Sequence, residues 1–353
     1  MGPTGSREIS LKRKAVNMIG NNRQVILASR PEGIPQAQHF VLSETKIPDL
    51  RDGQFLVRNH YLSVEPAMRG WVNAAANYSQ PVAIGAVMRA MAAGEIVSSK
   101  NPDYTVGDRV IGWFGWQEYA VSDGSSIVRK IAEVDLPISL SLGILGINGV
   151  TAYLALMDIG QPRPGDTVVV STAAGSVGSA VGQLAKLAGA RTVGITGGPA
   201  KVSLCQEAFG YDVALDYKSG APLLPALQSA CPGGANVYFD NTAGAISDAV
   251  VNCLAVNARV VICGTASVPV WEPPPLGPRL ERAILTKRLT VQGFVLFDHM
   301  HRYVDVVARL AGLVREGRLA YREEILDGIE SCPDAIAGLY RGENLGKRLI
   351  KLA

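Results

Sequence analysis

Hydrophobic residues follow two different patterns along the chain, and the change between them divides it. In the first part, from about Gln24 to Lys130, short runs of branched and aromatic residues are separated by turn sequences rich in Pro, Gly and Asp. These runs predict strands at 25–28, 40–45, 55–64, 90–99 and 109–121. Many short strands divided by such turns are typical of a small barrel-like β domain.

From Asp166 onward, apolar runs alternate with segments of helical spacing. Strands are predicted at 167–171, 191–196, 213–216, 235–240, 258–264 and 289–293. Helices are predicted at 179–188, 200–209, 223–230, 245–254 and 301–316, after a helical connector at 137–160. This alternation predicts an α/β, doubly wound parallel sheet, and a last strand at 347–352 is expected to rejoin the first part.

A run of small residues joins the first strand of this alternation to its first helix. The run is Ala173-Ala174-Gly175-Ser176-Val177-Gly178, one step from Gly-x-Gly-x-x-Gly because Ala173 replaces the first glycine. Gly175 would let a pyrophosphate approach the backbone, and Gly178 would let the helix pack closely on the strand. The N–H groups that open the helix would face the phosphates. The alternative is a tight turn without a ligand, and the strand–turn–helix context favours a dinucleotide site.

The end of the second strand indicates which dinucleotide binds. An NAD site has an acidic residue about 20 positions beyond the glycines, where it binds the ribose 2′-hydroxyl. Here the strand ends in Thr196-Gly197-Gly198, and Lys201 follows in the first turn of the next helix. We therefore predict NADP(H), with Lys201 on the 2′-phosphate. The alternative for Lys201 is a solvated surface lysine.

Composition excludes several classes of function. The 353 residues are 48% hydrophobic and 18% charged, with a net charge of +3, which suits a soluble protein with sizeable cores and room for two domains. The small charge, without basic runs interleaved with aromatics, argues against nucleic acid. No run reaches membrane-spanning length, and no signal peptide is apparent, so no membrane partner is expected. None of the five cysteines forms a CxxC pair, which favours reduced thiols in a cytoplasmic protein.

A series of short sequences, in order along nearly the whole chain, identifies a family. They are 64–70 (VEPAMRG), 85–90 (GAVMRA), 115–119 (GWQEY), 151–153 (TAY), 173–178 (AAGSVG), 216–218 (DYK), 239–241 (FDN), 263–264 (CG), 293–296 (GFVL) and 343–347 (ENLGK). Together they resemble the medium-chain dehydrogenase/reductase superfamily. The likeness is to its zinc-independent branch of leukotriene hydroxydehydrogenases, prostaglandin reductases, plant double-bond reductases and bacterial curcumin-reductase-like enzymes.

The resemblance implies a Rossmann NADP-binding domain at 139–312, inserted into a β-rich GroES-like catalytic domain formed by 1–138 and 313–353. It implies NADPH-dependent reduction of the carbon–carbon double bond of α,β-unsaturated ketones or aldehydes. It also implies a homodimer formed through the edge of the nucleotide sheet. The NADPH contacts it implies are Ala174, Gly175, Ser176, Val177, Gly178, Thr196, Gly197, Lys201, Tyr217, Asn241, Cys263, Gly264, Phe294, Val295 and Asn344.

The residue types available for catalysis predict a reaction without a metal. Zinc members of the superfamily use Cys, His and Glu ligands, whereas every cysteine here lies at or beyond Cys205. An enone needs only a hydride at its β-carbon and hydrogen-bond donors for the oxygen that becomes an enolate. The candidate catalytic residues are Tyr78, Tyr61 and Arg69, and the candidate pocket residues are Met68, Trp116, Tyr153 and Trp271.

Two departures from the family leave the proton donor open. Ala67 stands where several relatives have a tyrosine, and the loop 267–273 has no tyrosine. Our hypothesis is that Tyr78 or the cofactor ribose hydroxyl binds the enolate and that water supplies the proton. The apolar loop with Trp271 predicts a bulky or aromatic substrate. The alternatives are an NADPH quinone reductase and a nucleotide-binding module without catalysis.

Overall fold

The computed structural model describes residues 20–74, 79–268, 273 and 275–352. Tyr78 and Trp271 therefore lie outside the described residues. The N-terminal elements are β1 (Asn21–Leu27), β2 (Phe40–Lys46), β3 (Phe55–Ser63), α1 (Met68–Trp71), β4 (Ala92–Ser99), β5 (Arg109–Gly112), β6 (Tyr119–Ser122) and β7 (Ile127–Lys130). The single strand predicted at 109–121 is wrong: the chain turns at Gly115, whose φ is +77°, and continues as β6.

The middle of the chain forms the predicted doubly wound sheet. Its elements are α2 (Ile147–Ala155), β8 (Thr167–Ser171), α3 (Ser176–Leu187), β9 (Arg191–Thr196), α4 (Pro199–Ser203), β10 (Val213–Asp216), α5 (Leu223–Ala230), β11 (Ala235–Asp240), α6 (Gly244–Asn252), β12 (Leu254–Ile262), α7 (Glu281–Lys287) and β13 (Thr290–Gly293). The parallel strands lie in the order β10-β9-β8-β11-β12-β13. The order reverses between β8 and β11, which is where such sheets bind ligands at their carboxyl ends.

The strand predictions hold in this region because buried parallel strands have continuous apolar runs. Val168, Val169 and Val170 are fully buried, and β8 to β11 have the predicted bounds. The helix predicted at 200–209 is α4 followed by one π-helical segment, Leu204–Ala208. The predicted connector contains a short 3-10 segment, α2 and a second π-helical segment, and it ends at Gln161 in the left-handed conformation.

The tail of the chain returns to the first part. Its elements are α8 (Tyr303–Arg315), β14 (Glu323–Asp327), α9 (Cys332–Arg341) and β15 (Lys347–Lys351). β15 pairs with β3 antiparallel and with β14 parallel, in a sheet of order β14-β15-β3-β4-β5-β7. The strand predicted at 347–352 is confirmed, whereas β14 and α9 were not predicted.

Separate hydrophobic cores support the two large sheets. Helix α9 packs Ile336 against the core of the N-terminal sheet, which contains Leu62 and Ile350. The parallel sheet has a core on each face, one around Val168 and Val170 and the other around Val169 and Val193. Within the described chain, no helix combines the length and apolar character that a membrane-spanning segment requires.

Candidate functional site

The turn between β8 and α3 brings the start of the helix unusually close to the strand. A Cβ on Gly178 would lie 2.2 Å from the carbonyl oxygen of Thr172, and a Cβ on Gly175 would lie 2.8 Å from Thr172 Cγ2. Only glycine fits at Gly178 without moving the backbone. The first N–H groups of α3, from Ser176 onward, have no partner within the helix and can receive an anion.

Lys201 follows β9 and Lys218 follows β10, and their ammonium groups lie close together. A Cβ on Gly342 would lie 3.3 Å from Lys218 Nζ and 3.8 Å from Lys201 Nζ, so the two ammonium groups flank one small space. Burial and the charge of Lys218 lower the pKa of Lys201. Two converging cations are a suitable site for the 2′-phosphate of NADP. Lys218 is not among the cofactor residues predicted from the sequence, although it follows the strand end in the sequence Asp216-Tyr217-Lys218.

Backbone contacts shape the same corner. The carboxylate of Asp216 accepts hydrogen bonds from the backbone N–H groups of Gly198 and Lys218, both at 2.8 Å. A Cβ on Gly197 would lie 3.0 Å from the Tyr217 ring, so this ring covers the turn that follows β9. The Asp216 carboxylate at the end of β10 is therefore used in hydrogen bonds to the backbone. Lys201, Lys218 and Tyr217 are the side chains around the space between the two ammonium groups.

The carboxyl ends of β8, β11 and β12 are tied together. Asn241 Nδ2 donates to the carbonyl oxygen of Ser171 at 2.7 Å, and a Cβ on Gly264 would lie 2.9 Å from the carbonyl oxygen of Asn241. Burial raises the pKa of the Cys263 thiol to about 12. Cys263 is therefore a neutral thiol at physiological pH and not a nucleophile. The predicted cofactor residues Asn241, Cys263 and Gly264 are adjacent to one another.

The tail of the chain lies against the N-terminus of α3. Asn344 Nδ2 donates to the carbonyl oxygen of Gly346 at 2.8 Å, which fixes the turn that leads into β15. Lys347 and Arg322 line a small cleft together with Ser176 and Ser179 of α3. The predicted residue Asn344 thus belongs to a segment that meets the N-terminus of α3.

An aromatic cavity of about 490 Å³ lies between the N-terminal sheet and the segment after β13. The Trp71 and Trp113 rings are 5.7 Å apart, and the Trp113 and Phe297 rings are 6.1 Å apart. Ser79 and Arg89 supply polar groups to its lining. In sequence, Phe297 comes shortly after Phe294 and Val295, two residues predicted to contact the cofactor. None of these lining residues was selected from the sequence.

The predicted catalytic residue Arg69 is engaged by the protein itself. Its Nη2 donates to the carbonyl oxygen of Val268 at 2.7 Å, and its Nη1 donates to that of Ala266 at 3.4 Å. Its guanidinium also lies 4.7 Å above the centre of the Tyr340 ring. Arg69 therefore joins α1 to the loop after β12 and to α9.

The other described candidates lie away from the cavity lining. Met68 and Trp116 are fully buried, and Trp116 Nε1 donates to the carbonyl oxygen of Ser63 at 3.1 Å. Tyr61 is half-buried on β3 and packs on a small core that includes Leu142. The Tyr153 hydroxyl accepts a hydrogen bond from Arg309 of α8. Among the residues that the structure describes, no group of three or more His, Cys, Asp or Glu side chains is arranged as a metal site.

Two protein families match the chain. The N-terminal domain of oxidoreductase matches residues 23–130, and the zinc-binding dehydrogenase family matches residues 176–312. The chain is 42% identical to the NADPH-dependent curcumin reductase of Escherichia coli, over 94% of this chain and 97% of that protein. It is 33% identical to the NADP(+)-dependent 2-alkenal reductase of Nicotiana tabacum, over 94% of this chain and 98% of that protein.

A solved structure is similar to this chain over nearly its whole length. The crystal structure of CurA in complex with NADPH from Vibrio vulnificus superimposes with a TM-score of 0.88 and 39% sequence identity. The superposition covers 94% of this chain and 99% of that one. The similarity therefore includes the N-terminal sheet and the parallel sheet.

Proposed function

Since the chain belongs to the zinc-independent branch of the medium-chain dehydrogenase/reductase superfamily, we propose that it reduces the carbon–carbon double bond of α,β-unsaturated ketones or aldehydes with NADPH. It is an NADP-dependent oxidoreductase of the group that contains curcumin, alkenal and prostaglandin reductases. The observation that carries the proposal is the aromatic cavity, because Phe297 lines it a few residues after the end of β13. A flat conjugated substrate fits such a wall.

The cofactor is NADP(H), and this chain has residues suited to hold it. The N-terminus of α3 would receive the pyrophosphate, because Gly178 brings it against β8. Lys201 and Lys218 would bind the 2′-phosphate. When bound, NADPH supplies a hydride to the β-carbon of the alkene.

The protein's own part in the reaction is positioning and hydrogen bonding. Trp71, Trp113 and Phe297 would hold the conjugated system flat and exclude water from it. Arg69 would fix α1 against the loop after β12, so it is a positioning residue. Tyr78 remains the proposed donor to the enolate oxygen, and water would protonate the α-carbon. An unchanged turnover number in Tyr78→Phe would contradict the role of Tyr78.

We also propose that two copies of the chain associate through β13. In the described sheet, β13 pairs on one side with β12 and ends the strand order. An edge strand with unpaired backbone groups is a ready surface for a second copy. Sedimentation would show a dimer. Replacement of Gly293 by Pro would shift it to monomer, because the N–H of Phe294 bonds to Ile262 of β12, so that of Gly293 faces the free edge and Pro removes this donor. The cytoplasmic location stays a prediction.

The deciding experiment is a panel of enals, enones and quinones, each assayed with NADPH and with NADH. We expect enones and enals to be reduced with NADPH, and the product to be the saturated carbonyl compound. Deuteride-labelled NADPH should place deuterium on the β-carbon. Turnover of quinones alone, or formation of allylic alcohols, would overturn the proposal. No NADPH oxidation with any compound would favour a binding module.

A further inference from the structure

Arg89 enters the aromatic cavity from an extended segment of the N-terminal part. Met88 and Ala90 on either side of it are fully buried. The Met88 backbone is held from both sides, because its N–H donates to the carbonyl oxygen of Val25 and its carbonyl oxygen accepts from the N–H of Trp116, both at 2.9 Å. Neighbouring side chains on extended backbone point in opposite directions. The Arg89 side chain therefore points away from the core and lines the cavity.

The residues that the structure describes leave most of the Arg89 guanidinium available. A guanidinium has five N–H donors. With described partners, those of Arg89 make one long hydrogen bond, from Nη1 to Ser79 Oγ at 3.4 Å. The group also lies 5.7 Å from the centre of the Trp71 ring, which is a weak attraction. In the described part of the chain, Arg89 forms no ion pair with Asp or Glu, and it is the one charged side chain of the cavity lining.

The Arg89 guanidinium favours a substrate that carries a negatively charged group. A half-buried cation in an apolar cavity has lost part of its hydration and gains most from an anion. The planar guanidinium matches a carboxylate, which can accept two of its N–H groups at once. The aromatic side chains around Arg89 would at the same time hold a ring. By contrast, Arg69 already donates to two backbone carbonyls.

We propose that Arg89 determines substrate choice by binding a carboxylate carried on the aromatic ring of an aryl enone. The preferred substrates are then acidic aromatic enones, with the ring against Trp71 and Trp113 and the carboxylate on Arg89. This inference rests on the proposed reduction of enones. In this proposal Arg89 binds the aromatic end of the substrate, away from the double bond, and takes no part in hydride transfer.

The test compares two probes with the same skeleton, one anionic and one neutral. They are benzylideneacetone with a para-carboxylate on its ring and the methyl ester of the same compound. We expect the wild-type protein to have a lower KM for the acid. Arg89→Met, which keeps much of the side-chain length, should raise the KM for the acid about 10- to 100-fold, because hydrogen bonds to charged groups contribute that much to binding. Its kcat for the acid and its KM for the ester should change little.

Two further variants complete the design. Arg89→Lys keeps the charge without the planar fork and should give an intermediate KM for the acid. The matched control is Arg51→Met, because Arg51 is an exposed arginine in the turn before β3, and it should leave both KM values unchanged. Thermal unfolding and NADPH binding by fluorescence check that each variant is folded.

The outcomes separate this inference from the proposed function. Equal KM values of the wild-type protein for the acid and the ester would overturn the role of Arg89 while the enone reductase stands. The same conclusion would follow if Arg89→Met raised both KM values equally. If neither probe, nor any other enone, oxidises NADPH, the proposed function itself fails. Should Arg89→Met not fold, the wild-type comparison of acid and ester still decides.

Discussion

Lys347 Nζ lies 2.6 Å from Glu65 Oε1, and both side chains are almost fully buried. The same ammonium donates to Ser63 Oγ at 2.7 Å, while Asn148 of α2 donates to the other oxygen of Glu65 at 3.3 Å. This ion pair joins β15, the end of β3 and the connector helix. It therefore fixes the tail and α2 against the end of β3.

Removing one partner of this ion pair should be costly. Lys347→Met leaves the Glu65 carboxylate buried without a counter-charge, and we expect a loss of about 3–5 kcal/mol in the free energy of unfolding. Urea unfolding followed by fluorescence measures it. The double variant Lys347→Met with Glu65→Gln removes both charges and should recover part of the loss. A loss below about 1 kcal/mol in Lys347→Met would contradict the prediction.

Glu323 should make stability depend on pH. Burial raises its pKa above the usual 4.5, while Ser139 Oγ donates to its Oε2 at 2.8 Å. A raised pKa in the folded state favours the protonated form. The stability that this provides is full below pH 4.5 and is lost as pH rises through the folded-state pKa.

The variant Glu323→Gln removes this titration. Its melting temperature should match that of the wild-type protein at about pH 4 and exceed it at about pH 7, because the buried charge is absent. Thermal unfolding at the two pH values is the measurement. Glu316→Gln, at an exposed position, is the control and should show no such change. A neutral-pH melting temperature below that of the wild-type protein would refute the effect.

The two converging lysines should determine the choice between NADPH and NADH. Lys201→Ala and Lys218→Ala should each raise the KM for NADPH about 10- to 100-fold, because each removes a charge-assisted bond to the 2′-phosphate. The KM for NADH should hardly change. Steady-state kinetics with both cofactors measures this, with Lys186→Ala as the control, since Lys186 pairs with Asp212 on the surface. An equal rise for NADH would place the lysines outside the phosphate site.

The close approach of α3 to β8 can be tested with one methyl group. Gly178→Ala places a Cβ 2.2 Å from the carbonyl oxygen of Thr172, so the helix must move. We expect a loss of about 1–3 kcal/mol in stability and weaker NADPH binding. Gly312→Ala in α8 has no atom within 4 Å of the new Cβ and should stabilise the protein by up to about 1 kcal/mol. Similar melting temperatures of the two variants would contradict the argument.

The sequence predicts the parallel sheet well because its valine runs and its glycine turn are local signals. It fails at 323–327, where the strand begins with two glutamates, and at 109–121, where a turn at Gly115 interrupts an apolar run. The aromatic cavity is not predictable in this way. Trp71, Arg89, Trp113 and Phe297 come from separate segments that only the fold brings together.

Two tryptophans close together in sequence show that the cavity lining is hard to predict even within one segment. Trp113 lines the cavity, whereas Trp116, three residues later, is fully buried and bonded to Ser63. Both are aromatic residues in a short apolar run, and no periodicity distinguishes them because Gly115 turns the chain between them. The sequence therefore does not distinguish the tryptophan that lines the cavity from the one that is buried.

The pairing of β15 with β3 has a consequence for how the protein is made. Leu349 pairs with Ser63 across almost the whole chain, so the N-terminal sheet stays incomplete until residues 347–351 have left the ribosome. The parallel sheet lies between Thr167 and Gly293 and can form earlier. Since domains fold as units during synthesis, the nucleotide sheet should fold first. During that interval the apolar faces of β3 and β4 are exposed, and the nascent chain is most in need of a chaperone.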